Sequence, residues 1–365
     1  VQHCPTRIVT TSHSTPHRAI DAFLRREIDV GSFPSASYAI GNSSGITHEH
    51  ALGHAVAVPL RIPASTTTIY DLASVTKVLV TTPLLLQAVA EGRLSLDEPI
   101  GRFLPELGED KRVITARQLL AHTSGLKAWL PFYATGSSKA DYLDILIREP
   151  VEAPPGTRVM YSDPNFVLLY LILQRIYGSY RERAQLALFD RLRIDAMFNP
   201  PPDMRFRIAA TEWGQRFEAK LGNRIVPHAR QGLMWGDAND GNSFHLGGTA
   251  GNAGLFGTAR NVFRIAQAWS DDSIVPAALR QEATSLQTPP GYEPRGLGWQ
   301  LRSDSVASRM LSPRAFGHTG FTGTSLWIDP ERDLIVVLLT NRVHPCAAPI
   351  AMQTIRGRVN ELALT

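Results

Sequence analysis

Apolar residues at Ala19, Ile20, Phe23, Leu24 and Ile28 recur at the spacing of an amphipathic helix, and they open the patterned part of the chain. Residues 1–17 before it are polar and irregular and read as a tail. Residues 35–40 and 47–56 read as two strands about the turn-forming run Gly41-Asn42-Ser43-Ser44-Gly45, the start of an antiparallel sheet. From residue 74 to 91 the chain is at its most apolar, with Val75, Val78, Leu79, Leu84, Leu85 and Leu86 on a helix that Gly92 ends. Pro83 lacks an amide donor, so that helix is expected to kink or stop near Thr82.

Residues 94–242 show helical spacing and loops, as at 116–120, 140–147, 166–177 and 185–192, with almost no period-two alternation. Beyond them come a glycine-rich loop at 247–257, helices at 259–270 and 276–285, strand-like runs at 296–302, 324–328 and 334–340, and a closing helix at 350–364. Sheet at both ends with helices between them predicts an α/β fold, an antiparallel sheet flanked by helices and interrupted by an all-α subdomain. The division is 18–93 with 243–365 for the sheet domain and 94–242 for the insertion, with the active site at their interface.

Composition narrows the classes. The 365 residues are 44% hydrophobic and 19% charged, which is neither disordered nor fibrous, and the length suits two subdomains. The net charge of +4 comes from scattered basic residues, so no nucleic-acid footprint is expected. No run is expected to span a bilayer. Residues 1–18 lack a signal-peptide core, which implies a cytoplasmic chain if Val1 is the true start and a periplasmic or secreted one if a leader has been removed. The cysteines, Cys4 and Cys346, could bridge only if the termini meet.

Ser-x-x-Lys carries chemistry only on a helix, where both side chains share a face and a neutral lysine can take the serine proton. It occurs at Ser74 with Lys77 and at Ser124 with Lys127. Gly125 interrupts the second, which reads as structural. The first opens the apolar helix, where burial is expected to lower the Lys77 pKa. Gly41, Ser43 and Gly45 match G-x-S-x-G, but a strand rather than a helix follows. His48, His50 and His54 lie on one side of a strand with no matching ligand motif, so no metal is expected. Residues 247–257 hold no phosphate-loop pattern, and no cofactor is expected. Tyr161 follows Pro154-Pro155-Gly156 and precedes a helix, where it can project into a cleft. The run 317–323 reads as a strand whose glycines leave its backbone approachable, or alternatively allow close helix packing.

Five motifs occur in order: Asp71-Leu72-Ala73-Ser74-Val75-Thr76-Lys77, Leu119-Leu120-Ala121-His122-Thr123-Ser124-Gly125-Leu126, Tyr161-Ser162-Asp163, Leu246-Gly247-Gly248 and His318-Thr319-Gly320. Together they resemble the class C β-lactamase and penicillin-binding-protein superfamily, in its branch of β-lactamase-related serine hydrolases. The resemblance implies a β-lactamase/transpeptidase-like fold in which Ser74 forms an acyl-enzyme while Lys77 and Tyr161 handle its proton. It also implies an oxyanion site at the backbone N–H groups of Ser74 and Phe321, and substrate binding by Asp163, Asn252, His318, Thr319, Gly320 and Phe321. The substrate would be a small ester, a β-lactam or a peptidoglycan-type peptide. Asp163 replaces the Asn of many β-lactamases, which favours carboxylesterase or DD-peptidase activity over β-lactamase activity. Asn252 stands where related hydrolases often have His. His318 replaces the usual Lys, and as an imidazole it is expected to attract a substrate carboxylate more strongly on acidification. The alternative is a slowly deacylating penicillin-binding or cell-wall-sensing protein.

Overall fold

The computed structural model describes residues 16–221, 229–347 and 349–365. Cys4 and most of the N-terminal tail lie outside the described residues, and Cys346 is exposed.

Among the described residues ten strands form in chain order: β1 (Ser35–Asn42), β2 (Gly45–Val56), β3 (Ile62–Pro63), β4 (Tyr70–Asp71), β5 (Met197–Phe198), β6 (Leu255–Gly257), β7 (Gln300–Leu301), β8 (Phe316–Thr319), β9 (Ser325–Asp329) and β10 (Leu334–Thr340). Seven of them make one antiparallel sheet in the order β3-β2-β1-β10-β9-β8-β7. The first strands of the chain therefore pair with the last, Ala36 opposite Thr340 and Gly41 opposite Ile335. β10 reads as an unbroken apolar run because both of its faces are covered. Val336 and Leu338 pack with Ile20 and Leu24 of the helix Pro16–Asp29 and with Ile355 and Val359 of the helix Met352–Ala363. Ile335, Val337 and Leu339 point the other way, into the main core with Val262 and Phe263 of the helix Ala259–Gln267.

The hairpin between β1 and β2 is tighter than the sequence suggests. Only Ser43 and Ser44 lie outside the strands, and Ser43 donates to Asp333 through its amide and its hydroxyl, both at 2.9 Å. Ser43 is thus a turn residue, with neither the position nor the partners of a nucleophile. The strand expected over 296–302 shrinks to two residues because Gly298, at φ +80, turns the chain. That expected over 317–323 ends at Thr319, and residues 320–324 turn into β9.

The apolar helix is continuous from Ala73 to Ala90 but changes pitch along its length. Ala73–Val75 is a 3-10 turn, Lys77–Thr81 is a π turn, and Thr82–Ala90 is α-helical. The wide turn accommodates Pro83: the Thr82 amide and hydroxyl both reach back to the Lys77 carbonyl, so the proline that follows falls where an amide donor is dispensable. This stretch is also long and apolar enough to cross a membrane, contrary to the expectation that no run would be. Its packing explains the composition, since 83% of it is buried inside the protein.

A second, three-stranded sheet, β4-β6-β5, ties the segment before Ser74 to the glycine-rich loop; β5 comes from the otherwise helical stretch 94–242. From the opposite side, Thr322 and Thr324 donate hydroxyls to the carbonyls of Asp71 (2.7 Å) and Leu72 (3.0 Å). Gly320 allows this approach, because a Cβ there would stand 2.7 Å from the Leu72 carbonyl oxygen and 2.1 Å from Thr324 Oγ1. The buried Arg356 guanidinium clamps the same turn through the carbonyls of Gly320 (2.8 Å) and Thr324 (2.9 Å). Replacing Arg356 by Leu removes two hydrogen bonds from a charged donor, at roughly 1.5–3 kcal/mol each before relaxation, and leaves the two carbonyls only the amides of Gly323 (3.1 Å) and Gly320 (2.8 Å). We expect Arg356→Leu to lower unfolding stability by about 2 kcal/mol or more in urea titrations followed by tryptophan fluorescence. An unchanged midpoint would show that the turn holds without its clamp.

Candidate active site

Ser74 sits on the 3-10 turn directly after Ala73, whose φ of +46 is a left-handed conformation rare for a residue with a Cβ. The turn is held by Asp71: Oδ1 accepts from the Ala73 amide at 2.8 Å and Oδ2 from the Asn239 amide at 2.6 Å. One turn on, Lys77 is fully buried. Its ammonium donates to Ser74 Oγ (3.1 Å), Asp163 Oδ1 (2.7 Å) and the Asn252 carbonyl (2.9 Å). Burial alone would depress this lysine, but the adjacent Asp163 carboxylate, together with Tyr161, outweighs it and raises the pKa above its ordinary value. The expected neutral, depressed lysine is therefore corrected: Lys77 is held as an ammonium ion.

Tyr161 completes the group, its hydroxyl within hydrogen-bonding reach of both Ser74 and Lys77. Burial pushes the phenol up, against the pull of the Lys77 charge, so Tyr161 rests protonated. The motif around His122 positions it. His122 Nδ1 accepts from the Ser162 amide (3.0 Å), its carbonyl accepts from the Met160 amide (2.9 Å), and its ring stacks on Tyr161 with centroids 4.6 Å apart. Asp163 follows at the first turn of the helix Asp163–Tyr177, its amide bound to the Ala128 carbonyl at 2.9 Å. Ser124 and Lys127 serve this scaffold: Ser124 donates to Asn165 Oδ1 (2.5 Å), and Lys127 pairs with Glu149.

Ser74, Tyr161, His318, Thr319, Gly320 and Phe321 line one cleft of about 520 Å³, and Asp163 and Asn252 lie beyond Ser74 from it. His50 instead pairs with Asp21 on the surface, and His48 stacks on His17. His318 is buried, and its Nδ1–H donates to the Thr319 carbonyl at 2.9 Å, which fixes the tautomer. Burial, with Lys77 and Arg295 nearby, holds its pKa well below the usual imidazole value. The expectation that it charges on mild acidification is corrected accordingly. A cation that no sequence motif marks, Arg295, also lines this cleft. It is 3% exposed, lies over the Tyr161 ring at 5.3 Å, and spends one nitrogen on Glu293 (2.5 Å). Its Nε and Nη1 have no partner among the described residues. Arg342, which donates to the Phe321 carbonyl at 2.7 Å, and Arg356 line the same cleft.

The sequence and the fold have counterparts among known proteins. The chain is 28% identical over 370 residues to a protein of Escherichia coli (strain K12) named "Putative D-alanyl-D-alanine carboxypeptidase", covering 90% of this chain and 83% of that one. Its fold is similar to that of EstCE1, a hydrolase with promiscuous acyltransferase activity, with a TM-score of 0.75 at 17% identity over 95% of this chain and 98% of that one. It is also similar to the octameric penicillin-binding protein homologue from Pyrococcus abyssi, with a TM-score of 0.72 at 20% identity over 95% and 77% of the two chains. The sequence model described as Beta-lactamase matches residues 20–356, nearly the whole of the patterned chain, and the protein belongs to the Beta-lactamase family.

Proposed function

We propose that this chain is an acyl-serine hydrolase that cleaves peptides or esters whose leaving half ends in a carboxylate, a DD-carboxypeptidase-like or carboxylesterase activity rather than a β-lactamase. One juxtaposition carries the reading: Ser74 Oγ lies 3.1 Å from Lys77 Nζ and shares a cleft with a buried arginine whose Nε and Nη1 are unpaired. Glu293 engages this guanidinium only through Nη2, and leaving its other buried nitrogens without acceptors is costly, a cost that a bound carboxylate accepting from one of them would offset. The carboxypeptidase name of the Escherichia coli relative supports the same substrate class.

In this mechanism Ser74 Oγ attacks the carbonyl carbon, and the resulting oxyanion is held by the N–H groups of Ser74 and Phe321. The Gly320 carbonyl is bound by Arg356, so the Phe321 N–H, trans to it in the same planar peptide, points away from that guanidinium. Lys77 is an ammonium ion and cannot simply accept the serine proton. As it takes that proton it must release one, and Asp163 Oδ1, at 2.7 Å, is the acceptor within reach. Tyr161 bridges Ser74 and the leaving group and delivers the proton that expels it, and the proton taken from Ser74 returns from Asp163 through Lys77 to restore the phenol. Water then hydrolyses the acyl-enzyme.

Ser74→Ala should abolish both turnover and the mass adduct formed with a fluorophosphonate while leaving the melting temperature in place. Wild-type protein that turns over the ester or peptide in a Ser74-dependent manner is an enzyme, a sensor would form the adduct without turnover, and a penicillin adduct that decays quickly would mark a β-lactamase and overturn the reading.

Arg295→Met should lower the kcat/KM ratio of a carboxylate-bearing ester to its neutral analogue by about tenfold or more, the scale of a hydrogen bond to a charge. In the wild type that ratio should stay flat between about pH 5.5 and about pH 8, since arginine does not titrate there. A ratio falling with pH would return the anion site to His318.

Asp163→Asn removes the proton acceptor of this mechanism, so in the variant only a neutral Lys77 can take the serine proton. An amine is a far stronger base than a carboxylate, so the acidic limb of kcat/KM for a neutral ester, set in the wild type by protonation of Asp163, should move to higher pH. A stationary limb would show that Asp163 is not the group titrating.

A further inference from the structure

The cleft has a second arm. Beyond Ser74 and Phe321, away from Arg295, lies a cavity of about 250 Å³ lined by Trp129, Asp163, Phe217, Glu218, Asp240 and Asn252. Three of these carry carboxyl groups, and among the described residues the cations Lys77 and Arg230 nearby are already engaged. Lys77 is bound to Asp163. Arg230 turns its guanidinium onto the carbonyls of Ala238 and Asn239, each at 2.6 Å, and stacks on Phe244. Among the described residues, Glu218 and Asp240 form no ion pair.

A buried amide points independently to a missing donor. Asn252, 1% exposed, donates its Nδ2 to Asp240 Oδ1 at 3.2 Å, which leaves its Oδ1 as a buried acceptor without a partner among the described residues. Glu218 accepts from Tyr133 (2.7 Å), from the Gly241 amide (2.9 Å) and from Gln215. Even so, burial and the neighbouring Asp240 push its carboxyl up to about 7, the behaviour of an acid that lacks a cation.

We infer that this arm binds a primary ammonium group on the acyl half of the substrate, making the preferred substrate a zwitterion with its carboxylate at Arg295 and its ammonium among Asp163, Glu218, Asp240 and Asn252. The inference rests on the acyl-serine reading above and specifies its substrate. An ammonium brings three donors and no acceptor, which suits carboxylates and one amide oxygen, and Trp129 and Phe217 supply aromatic surface for its methylene groups or its charge. An α-ammonium, two bonds from the scissile carbonyl, would lie nearest Asp163, which is one lysine ammonium away from Ser74 Oγ. A longer side-chain ammonium would extend to Glu218 and Asp240.

Two isosteric pairs of p-nitrophenyl esters separate these sources: glycine against propanoate, and 6-aminohexanoate against heptanoate. Each kcat/KM is divided by that ester's own rate of alkaline hydrolysis, which removes the intrinsic activation by an ammonium. We expect the cationic ester to be favoured about tenfold or more in at least one pair, and the pair that shows it identifies the source. Asp240→Asn, which keeps a capping side chain for the helix Gly241–His245, should reduce that preference about tenfold. Glu218→Gln provides a second, independent variant, and a ratio of rates is insensitive to the fraction of protein that folds. Neutral esters cleaved as well as cationic ones by the wild type, or a preference that survives both substitutions, would overturn the ammonium site and leave the hydrolase reading standing. Failure to cleave any of the four esters in a Ser74-dependent manner would sink both.

Discussion

The ammonium ion of Lys77 is the constraint around which the candidate active site is assembled. A charge taken fully out of water is tolerable only if its donors are all met, and removing one partner of a buried pair typically costs about 3–5 kcal/mol. Here the three partners come from three distant parts of the chain: Ser74 one turn away, Asp163 at the head of the helix Asp163–Tyr177, and the Asn252 carbonyl in the glycine-rich loop. Satisfying one ammonium therefore fixes the relative positions of the candidate nucleophile, the Tyr161 loop and the far wall of the cleft. Gly251 permits the last of these, because a Cβ there would come within 2.2 Å of the Phe166 carbonyl oxygen.

Around that point the scaffold is built by backbone capture more than by side-chain packing. The turn 320–324 is held on one side by Thr322 and Thr324, which donate to the two carbonyls just before Ala73, and on the other by Arg356 of the closing helix. The antiparallel sheet makes this possible by pairing the first strand with the last, so that the closing helix and the first helix share one face. The result is a cleft with two arms meeting at Ser74, Tyr161 and Phe321, one lined by arginines and the other by carboxylates. A field that changes sign across the nucleophile orients a dipolar substrate before any hydrogen bond forms.

Two expectations failed for the same physical reason. Lys77 was expected to be depressed by burial and His318 to titrate near its ordinary value, and both turned out to depend on which charge stands beside them. Burial does act on Lys77, but Asp163 at 2.7 Å outweighs it. His318 is buried among cations instead, and the two effects add to keep it neutral. Neither partner is within 20 positions of the residue it governs, so no local pattern carries the information. Arg295 was invisible for a related reason. It lies in an irregular stretch after Pro289-Pro290-Gly291, where one arginine among many has no distinguishing neighbour.

The sequence by itself determined the α/β class, the strands at either end of the chain, the apolar helix and the membership of a family, because hydrophobic period, turn residues and short motifs are local properties that survive without the fold. It also named Ser74, Lys77, Tyr161, Asp163, Asn252 and the run from His318 to Phe321, which the structure gathers around a single serine. Only the tertiary structure decided the charge on each group, the π turn that accommodates Pro83, and the opposite polarity of the two arms. The π turn is a local change of pitch that hydrophobic period does not encode, whereas the charges and the polarity are set by groups far apart in the chain, Lys77 and Asp163 being 86 positions apart, and electrostatic energy depends on their separation in space and on excluded water, neither of which is written in the order of residues along a chain.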